Sequence, residues 1–245
     1  MKYLLNFLLI VWMSGCQQEP YTLHLVGDST MADKKDPDRN PEHGWGQVLP
    51  EYFGTELQVL NHAVNGRSSK SFMSEGKWEA VKQQLKKGDY VFIQFGHNDQ
   101  KIKDSLRYTQ PYTTYRDCLR TYVMESRALG AKPVLLSSIV RRKFNEQGVL
   151  EDTHGAYPFV MRQLALEMKV PFLDMQLRSE QLVSRLGAEE AKKIYLWLNP
   201  GESAYLPDGK QDDTHLSNEG AHHIAELAIE EMKEWDFPFL KYLKN

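Results

Sequence analysis

Cysteine is scarce in this sequence. Only Cys16 and Cys118 occur among 245 residues, so a fold held together by several disulfides is excluded. Cysteine pairs with the spacing of zinc ligands are absent as well. His222 and His223 look like a metal-binding pair, but neighbours on a helix point about 100° apart. We therefore expect no metal and no cofactor.

An excess of charge of either sign is also missing. The formal net charge is −3 and hydrophobic residues make up 41% of the chain. This balance gives no reason to expect disorder or binding to nucleic acid. No internal repeat or low-complexity tract is visible. A length of 245 residues suggests one α/β domain, or at most two small ones.

The longest apolar run lies at the N-terminus. The run Tyr3–Met13, broken by Asn6, is too short to span a bilayer but has the length of a secretory signal. It leads into Ser14-Gly15-Cys16, which resembles a bacterial lipobox, so Cys16 is expected to become the lipidated first residue. A plain signal peptide cut nearby is the alternative, and both predict export.

These features predict a lipoprotein signal peptide at 1–16, a short linker at 17–20 and a single domain at 21–245. A lipid would be the protein's sole attachment to a membrane, on the periplasmic side or at the cell surface. With Cys16 lipidated, Cys118 has no intrachain partner, and its helical context predicts a small buried hydrophobe.

Apolar runs bounded by turn residues alternate with helical patterns along the rest of the chain. This order predicts βαβ units and a flavodoxin-like three-layer α/β/α sandwich around a parallel five-stranded sheet. The strand candidates are Thr22–Val26, Gln58–Leu60, Tyr90–Phe95, Pro133–Ser137 and Pro171–Leu173. The helix candidates are Lys77–Leu85, Tyr115–Leu129, Tyr157–Met168 and a final helix capped by Ser217, with Ala221, Ile224, Ala225, Ala228 and Met232 buried.

Four short blocks carry the candidate chemistry: Gly-Asp-Ser-Thr at 27–30, Asn-Gly-Arg-Ser-Ser at 65–69, Gly-His-Asn-Asp at 96–99 and Asp-Asp-Thr-His-Leu-Ser at 212–217. Ser29, Gly66 and Asn98 each follow a strand candidate, so they should meet at the carboxyl edge of the sheet. His215 precedes the last helix, in a loop expected to fold back over the same edge.

Together the blocks supply a serine nucleophile, a histidine base and a carboxylate to orient that base, as acyl transfer requires. We assign these roles to Ser29, His215 and Asp212, with Asp213 as the other candidate carboxylate. Taken singly, each block has an ordinary explanation. Gly-Asp-Ser is usually a turn or cap, Asn-Gly is a common turn, and Asn98 could cap the following segment. Their order along the chain favours catalysis.

The four blocks resemble those of the SGNH, or GDSL, hydrolases. The longer strings at 61–69, 141–144 and 213–220 are similar to the rhamnogalacturonan acetylesterase branch, and the resemblance extends from about Tyr21 to Trp235. It implies that the family pattern Asp-x-x-His selects Asp212. It also implies an oxyanion hole formed by the N–H groups of Ser29 and Gly66 and the side-chain amide of Asn98. Thr30 stands where many members have leucine.

The resemblance implies a serine esterase that removes acetyl groups from a plant cell-wall polysaccharide, most closely acetylated rhamnogalacturonan or pectin. The expected partner is that polysaccharide, and the oligomeric state stays open. A lysophospholipase or thioesterase acting on lipids is one alternative, because this fold hosts several activities. A catalytically silent carbohydrate-binding lipoprotein is the other.

Residues around the predicted site suggest an acidic substrate. Basic residues cluster near the expected edge, and guanidinium groups suit the carboxylate of a uronic acid. The basic residues are Arg67, Lys70, Arg141, Arg142 and Lys143, and Trp45, Tyr157 and Trp197 are candidate sugar-stacking aromatics. We assign substrate binding to Arg67, His97, His154 and Tyr157. For any single charge, a solvated loop position is the simpler alternative.

Overall fold

A computed structural model describes residues 21–244 of the chain, and its centre is a parallel β-sheet. The sheet contains five strands in the order β3-β1-β4-β5-β6, which confirms the predicted flavodoxin-like α/β fold. The strands of the whole domain are β1 (Tyr21–Gly27), β2 (Glu42–His43), β3 (Leu57–Asn61), β4 (Tyr90–Gln94), β5 (Lys132–Leu136), β6 (Phe172–Leu173), β7 (Tyr195–Leu198) and β8 (Lys210–Ser217).

Helices cover both faces of this sheet. They are α1 (Trp45–Val48), α2 (Ser69–Ser74), α3 (Lys77–Lys82), α4 (Arg116–Ala128), α5 (Ala156–Met168), α6 (Met175–Glu190) and α7 (Asn218–Glu234). Alternate residues of the strands point to opposite faces, so Phe92 packs into a core with α1, α6 and α7. Its neighbours Val91 and Ile93 pack into a second core with α2 to α5. Burial on both faces explains why the inner strands β4 and β5 consist mostly of consecutive apolar residues.

Several predicted helices are present with shifted ends. The first candidate ends at Lys82 rather than Leu85, and the second begins at Arg116, after a short π-helix at Pro111–Tyr115. The long helix α6 was not predicted. It contains Gly187 at φ 73°, which breaks the helical geometry near its end. Because the segment contains this glycine and mostly polar residues, no clear helical spacing of apolar residues marks it in the sequence.

The chain around His215 is a strand, which corrects the expectation of a loop. β8 pairs antiparallel with both β7 and β2, and together they form a second, three-stranded sheet beside the main one. Charged and polar residues dominate β8, so no alternation of apolar residues marked it as a strand. Backbone pairing with its neighbours forms the strand instead.

The final helix α7 begins as predicted. The Ser217 hydroxyl accepts a hydrogen bond from the Gly220 N–H at 2.9 Å, as an N-cap residue does. The five residues expected on its buried face are all inaccessible to solvent: Ala221, Ile224, Ala225, Ala228 and Met232. The amphipathic pattern therefore predicted both the start and the packing face of this helix.

Sequence features near the N-terminus lie outside the described residues. They include the proposed signal peptide at 1–16 and the candidate lipidation site Cys16. Within 21–244, none of the helices combines the length and hydrophobicity needed to cross a membrane.

Candidate active site

Three side chains from opposite ends of the chain form a hydrogen-bonded series above the sheet. His215 Nε2 lies 2.9 Å from Ser29 Oγ, and His215 Nδ1 lies 2.8 Å from Asp212 Oδ2. When Nδ1 carries the proton and donates it to Asp212, Nε2 is free to accept the proton of Ser29. This is the tautomer of His215 that a general base needs. The structure therefore brings the three predicted catalytic residues together in the geometry of a serine hydrolase triad.

A bulge in β8 lets Asp212 reach a histidine three residues away. Leu196 pairs with Asp212 while the preceding Tyr195 pairs with Leu216, so the intervening residues of β8 have no partners in β7. The extra residues bend the strand. Asp212 Oδ1 then accepts hydrogen bonds from the N–H groups of Thr214 and His215 at 2.9 and 3.0 Å. In a regular strand, residues this far apart are about 10 Å from each other.

Asp212 is held in its charged form. Partial burial alone would raise its pKa, but the hydrogen bonds from His215 and Thr214 outweigh that effect and keep the pKa well below its usual value. A permanent carboxylate at this position stabilises the imidazolium that forms when His215 takes a proton.

Asp213 points away from the triad. Its Oδ1 accepts hydrogen bonds from Arg142 Nε and Trp197 Nε1, both at 2.8 Å. The Arg142 guanidinium also stacks on the Trp197 ring, 4.4 Å from the ring centroid. Of the two candidate carboxylates, only Asp212 contacts His215, and Asp213 belongs to a separate cluster.

The turn that carries Ser29 is held by the buried carboxylate of Asp28. Asp28 Oδ1 accepts bonds from both the N–H and the hydroxyl of Thr30, each at 3.0 Å. His97 Nδ1 lies 3.4 Å from the other oxygen. Complete burial would raise the pKa of Asp28, but His97 and Thr30 together lower it. Asp28 is thus a structural anion that shapes the nucleophile turn.

Potential oxyanion donors surround Ser29. Within the described part of the chain, the N–H groups of Ser29 and Gly66 have no acceptor. Asn98 Nδ2 donates to the Arg67 carbonyl at 3.0 Å, which leaves its second N–H free and ties it to the Gly66 loop. Gly66 has φ 75°, a conformation that favours glycine. These three donors match the predicted oxyanion hole.

The triad opens into a cleft of about 560 Å³. Its walls are polar or charged side chains and one glycine: Ser29, Glu42, Asn65, Gly66, His97, Asn98, Lys101, Arg141, Asp212, Thr214 and His215. Sequence reasoning did not single out Glu42, Lys101 or Thr214. Nothing in their local patterns distinguishes them from ordinary surface residues, because the tertiary fold alone brings them to the cleft.

The four predicted substrate-binding residues occupy different environments. His97 lines the cleft. Arg67 lies outside the residues that line it and forms an ion pair with Glu75 at 2.9 Å. His154 is 1% exposed and packs edge-on against the His97 ring, with centroids 4.7 Å apart. Burial, followed by the neighbouring charges, lowers the pKa of His154 well below its usual value.

Tyr157 is part of the core rather than the substrate surface. Its hydroxyl donates to the carbonyl oxygens of Asp99 and Thr109 at 3.0 and 2.5 Å, and the side chain is buried. The expected sugar contacts of Tyr157 and His154 are therefore corrected, since neither side chain offers an accessible face. Trp45 is also buried, where its indole N–H donates to Gln94.

A cluster of side chains suited to a metal ion is not found in residues 21–244. The histidines of the site are already used in the triad or packed against each other.

Residues 25–223 match the GDSL-like lipase/acylhydrolase family. The chain belongs to this family. It is accordingly a carboxylic ester hydrolase. The rhamnogalacturonan acetylesterase RhgT of Bacillus subtilis (strain 168) is 40% identical over 226 residues, which are 92% of this chain and 95% of that protein.

Two solved structures resemble this family member in fold. The crystal structure of YxiM from Bacillus subtilis has a TM-score of 0.74 at 27% identity, covering 89% of this chain and 57% of that one. This chain thus spans just over half the length of YxiM. The acetylxylan esterase Axe2 from Geobacillus stearothermophilus has a TM-score of 0.60 at 23% identity, covering 86% of this chain and 94% of that one.

Proposed function

We propose that this protein is a serine acetylesterase acting on acetylated rhamnogalacturonan through an acetyl-enzyme on Ser29. The observation that carries the proposal is the hydrogen-bonded series from Ser29 through His215 to Asp212, set beside three N–H donors. Similarity to RhgT, a rhamnogalacturonan acetylesterase, supports the choice of substrate.

The reaction follows from the positions of these groups. Ser29 Oγ attacks the acetyl carbonyl as its proton moves to His215 Nε2, and the oxyanion accepts hydrogen bonds from Ser29, Gly66 and Asn98. Collapse of the tetrahedral intermediate releases the sugar hydroxyl, which takes the proton from His215. Water, deprotonated by the same imidazole, then attacks the acetyl-serine. The Ser29 Oγ–acetyl bond breaks, acetate leaves, and His215 returns the proton to Ser29 Oγ.

Two basic residues that line the cleft without a carboxylate partner favour an acidic sugar as substrate. Arg67, Arg142 and Lys143 are paired with Glu75, Asp213 and Glu151, so they are less available to a substrate. Lys101 and Arg141 line the cleft, and neither forms an ion pair with a carboxylate of residues 21–244. Partial burial and the positive charges of Arg107 and Arg141 lower the pKa of Lys101. An incoming uronate carboxylate would relieve that repulsion.

The polar walls of the cleft argue against a lipid substrate. A long acyl chain needs an apolar surface, and no side chain that lines this cleft is aliphatic or aromatic apart from the histidines. A silent carbohydrate-binding protein has no need of an aligned triad. Both alternatives are outcomes of the following experiment.

Acetate release should be measured on acetylated rhamnogalacturonan and acetylxylan, at low and high salt. We expect a higher kcat/KM on the acidic polymer and a smaller preference at high salt, because salt screens the ion pair. Lys101→Ala should raise KM for that polymer several-fold and leave hydrolysis of p-nitrophenyl acetate nearly unchanged. Lys103→Ala, which changes a neighbouring exposed lysine, is the matched control.

Four results would each contradict a part of the proposal. Equal kcat/KM on both polymers at every salt concentration would reject the proposed preference for an acidic substrate. Faster hydrolysis of p-nitrophenyl octanoate than of the acetate would favour a lipid esterase. Activity retained by Ser29→Ala would exclude an acetyl-enzyme intermediate on Ser29. An inactive wild-type protein would favour a binding role.

We propose that the mature protein is an exported lipoprotein anchored through Cys16. The N-terminal apolar run and the Ser14-Gly15-Cys16 string support this location. Cys16→Ser should move the protein from the membrane fraction to the soluble fraction, as detected by immunoblot after fractionation. Membrane association that persists in this variant after processing of the signal would exclude a lipid on Cys16.

A further inference from the structure

Lys34 is a buried lysine below the nucleophile turn. Its side chain is 3% exposed, although the surrounding sequence Asp33-Lys34-Lys35-Asp36 reads as an exposed charged loop. Nζ lies 2.6 Å from the Ser29 carbonyl oxygen, 2.8 Å from Asn65 Oδ1 and 2.8 Å from Glu42 Oε1. The three N–H donors of the ammonium group are thereby all used.

These contacts join three of the segments that surround the active site. Ser29 is the nucleophile, and Asn65 precedes the oxyanion residue Gly66. Glu42 lies in β2, which pairs with β8 at Ser217 and Leu216, directly after His215. One ammonium group thus contacts the nucleophile turn, the oxyanion loop and the strand pair that carries the base.

The contact with Ser29 fixes the peptide that follows the nucleophile. The carbonyl of this peptide accepts from Lys34, and its N–H, on Thr30, donates to Asp28 Oδ1 at 3.0 Å. A peptide held on both sides resists rotation, so the backbone from which the Ser29 side chain projects is restrained. Burying a lysine is costly unless its charge is compensated, and Glu42 supplies that compensation.

We propose that Lys34 is a positioning residue for ester hydrolysis, which sets the distance between Ser29 and the oxyanion donors. The inference rests on the proposed function of the triad. Arginine cannot substitute, because its planar fork does not direct three N–H groups toward oxygens that surround a single point. The role is geometric, and Lys34 has no contact with the reacting atoms.

The test compares Lys34→Met and Lys34→Arg with wild type on p-nitrophenyl acetate. Rates are expressed per active site, and the sites are counted by stoichiometric reaction with diethyl p-nitrophenyl phosphate, which labels a reactive serine. We expect kcat per site to fall about 10²-fold in Lys34→Met, since a misplacement of about 1 Å has that effect. KM should change less than about threefold, because the acetyl group binds in the same cleft. Lys34→Arg should not restore the rate.

Lys82→Met is the matched control. Lys82 bridges Glu79 and Glu125, both at 2.9 Å, on α3 away from the cleft. This variant loses two ion pairs and should keep the wild-type kcat per site. Asn65→Ala removes the bond from Lys34 to the oxyanion loop, together with an amide that lines the cleft, and should lower kcat about tenfold. Combined with Lys34→Met, it should cause little further loss, since both changes break the same connection.

The outcomes separate the possible failures. An inactive wild type would reject the proposed function. An active wild type with unchanged kcat per site in both Lys34→Met and Asn65→Ala would overturn the positioning role, and a smaller count of active sites would then reveal a role in folding alone. Should Lys34→Met not fold, Asn65→Ala decides: wild-type kcat overturns the inference and a tenfold loss supports it.

Discussion

Adjacent residues of the same type have different roles in this protein. Asp212 and Asp213 are successive carboxylates in β8, yet one orients His215 and the other binds Arg142 and Trp197. Successive residues of a strand point to opposite sides, so a shift by one position would exchange the triad carboxylate for a structural one.

Asparagine substitutions of the two aspartates should therefore give different results. Asp212→Asn should lower kcat on p-nitrophenyl acetate by about 10⁴-fold, because an amide favours the wrong tautomer of His215. Asp213→Asn should leave kcat within a few-fold and reduce stability, since it weakens the bonds to Arg142 and Trp197. Steady-state kinetics and urea unfolding of both variants measure these effects. A crippled Asp213→Asn enzyme beside a normal Asp212→Asn enzyme would reverse the assignment.

At the scale of elements, the start of α7 sets the position of β8. Gly220 packs so closely on the chain before β7 that a Cβ atom there would lie 1.8 Å from the Ile194 carbonyl oxygen. That oxygen also accepts a hydrogen bond from the Ser217 N–H at 3.1 Å. The helix start, β7 and the end of β8 are thus packed backbone to backbone, two residues from His215.

Gly220→Ala should consequently destabilise the fold, although alanine favours a helix by about 1 kcal/mol over glycine. We expect a net loss of about 2–3 kcal/mol in unfolding free energy, because the methyl group must push α7 away from Ile194. The kcat should fall as well, since β8 moves with the helix. Urea unfolding and kinetics test this, with Ser217→Ala as a control that loses a cap of about 1 kcal/mol. A more stable Gly220→Ala protein would disprove the packing argument.

At the scale of the whole molecule, a buried chain of polar side chains makes stability depend on pH. His24 lies on β1, where its Nδ1 is 2.9 Å from His62 Nε2 and its Nε2 is 3.2 Å from Asp89 Oδ2. Burial, followed by the proximity of His24, lowers the pKa of His62 from 6.5 to about 4. The folded protein therefore resists protonation of His62, whereas the unfolded chain accepts the proton near pH 6.5.

This difference predicts loss of stability in acid. Between about pH 6.5 and 4 the unfolded state binds the additional proton, so the unfolding free energy falls as the pH is lowered through that window. His62 should account for on the order of 2 kcal/mol between pH 7.5 and 4.5. Urea unfolding at both pH values should show a smaller decrease in His62→Gln than in wild type. Equal decreases in the two proteins would assign the acid sensitivity to other groups.

The sequence by itself determined the chemistry and the main architecture. Alternating apolar runs and helical patterns predicted the parallel sheet, because strands buried on both faces and amphipathic helices leave local signatures. Ser29, Gly66, Asn98 and His215 were predicted because their four motifs occur in the order that a serine esterase needs and resemble those of SGNH hydrolases. The start of α7 could also be predicted from local sequence, because an N-cap residue and a stripe of buried residues specify it.

The tertiary structure decided what depends on residues distant in the chain. The polar segment around His215 is a strand because its backbone pairs with β2 and β7. Its side chains show no apolar pattern that would predict this pairing. The tertiary structure turned Asp212 rather than Asp213 toward His215 through a bulge. It buried Tyr157, His154 and Lys34, each of which reads locally as a surface or rim residue. Burial and long-range hydrogen bonding depend on the packing of many segments, so no local pattern of residues records them.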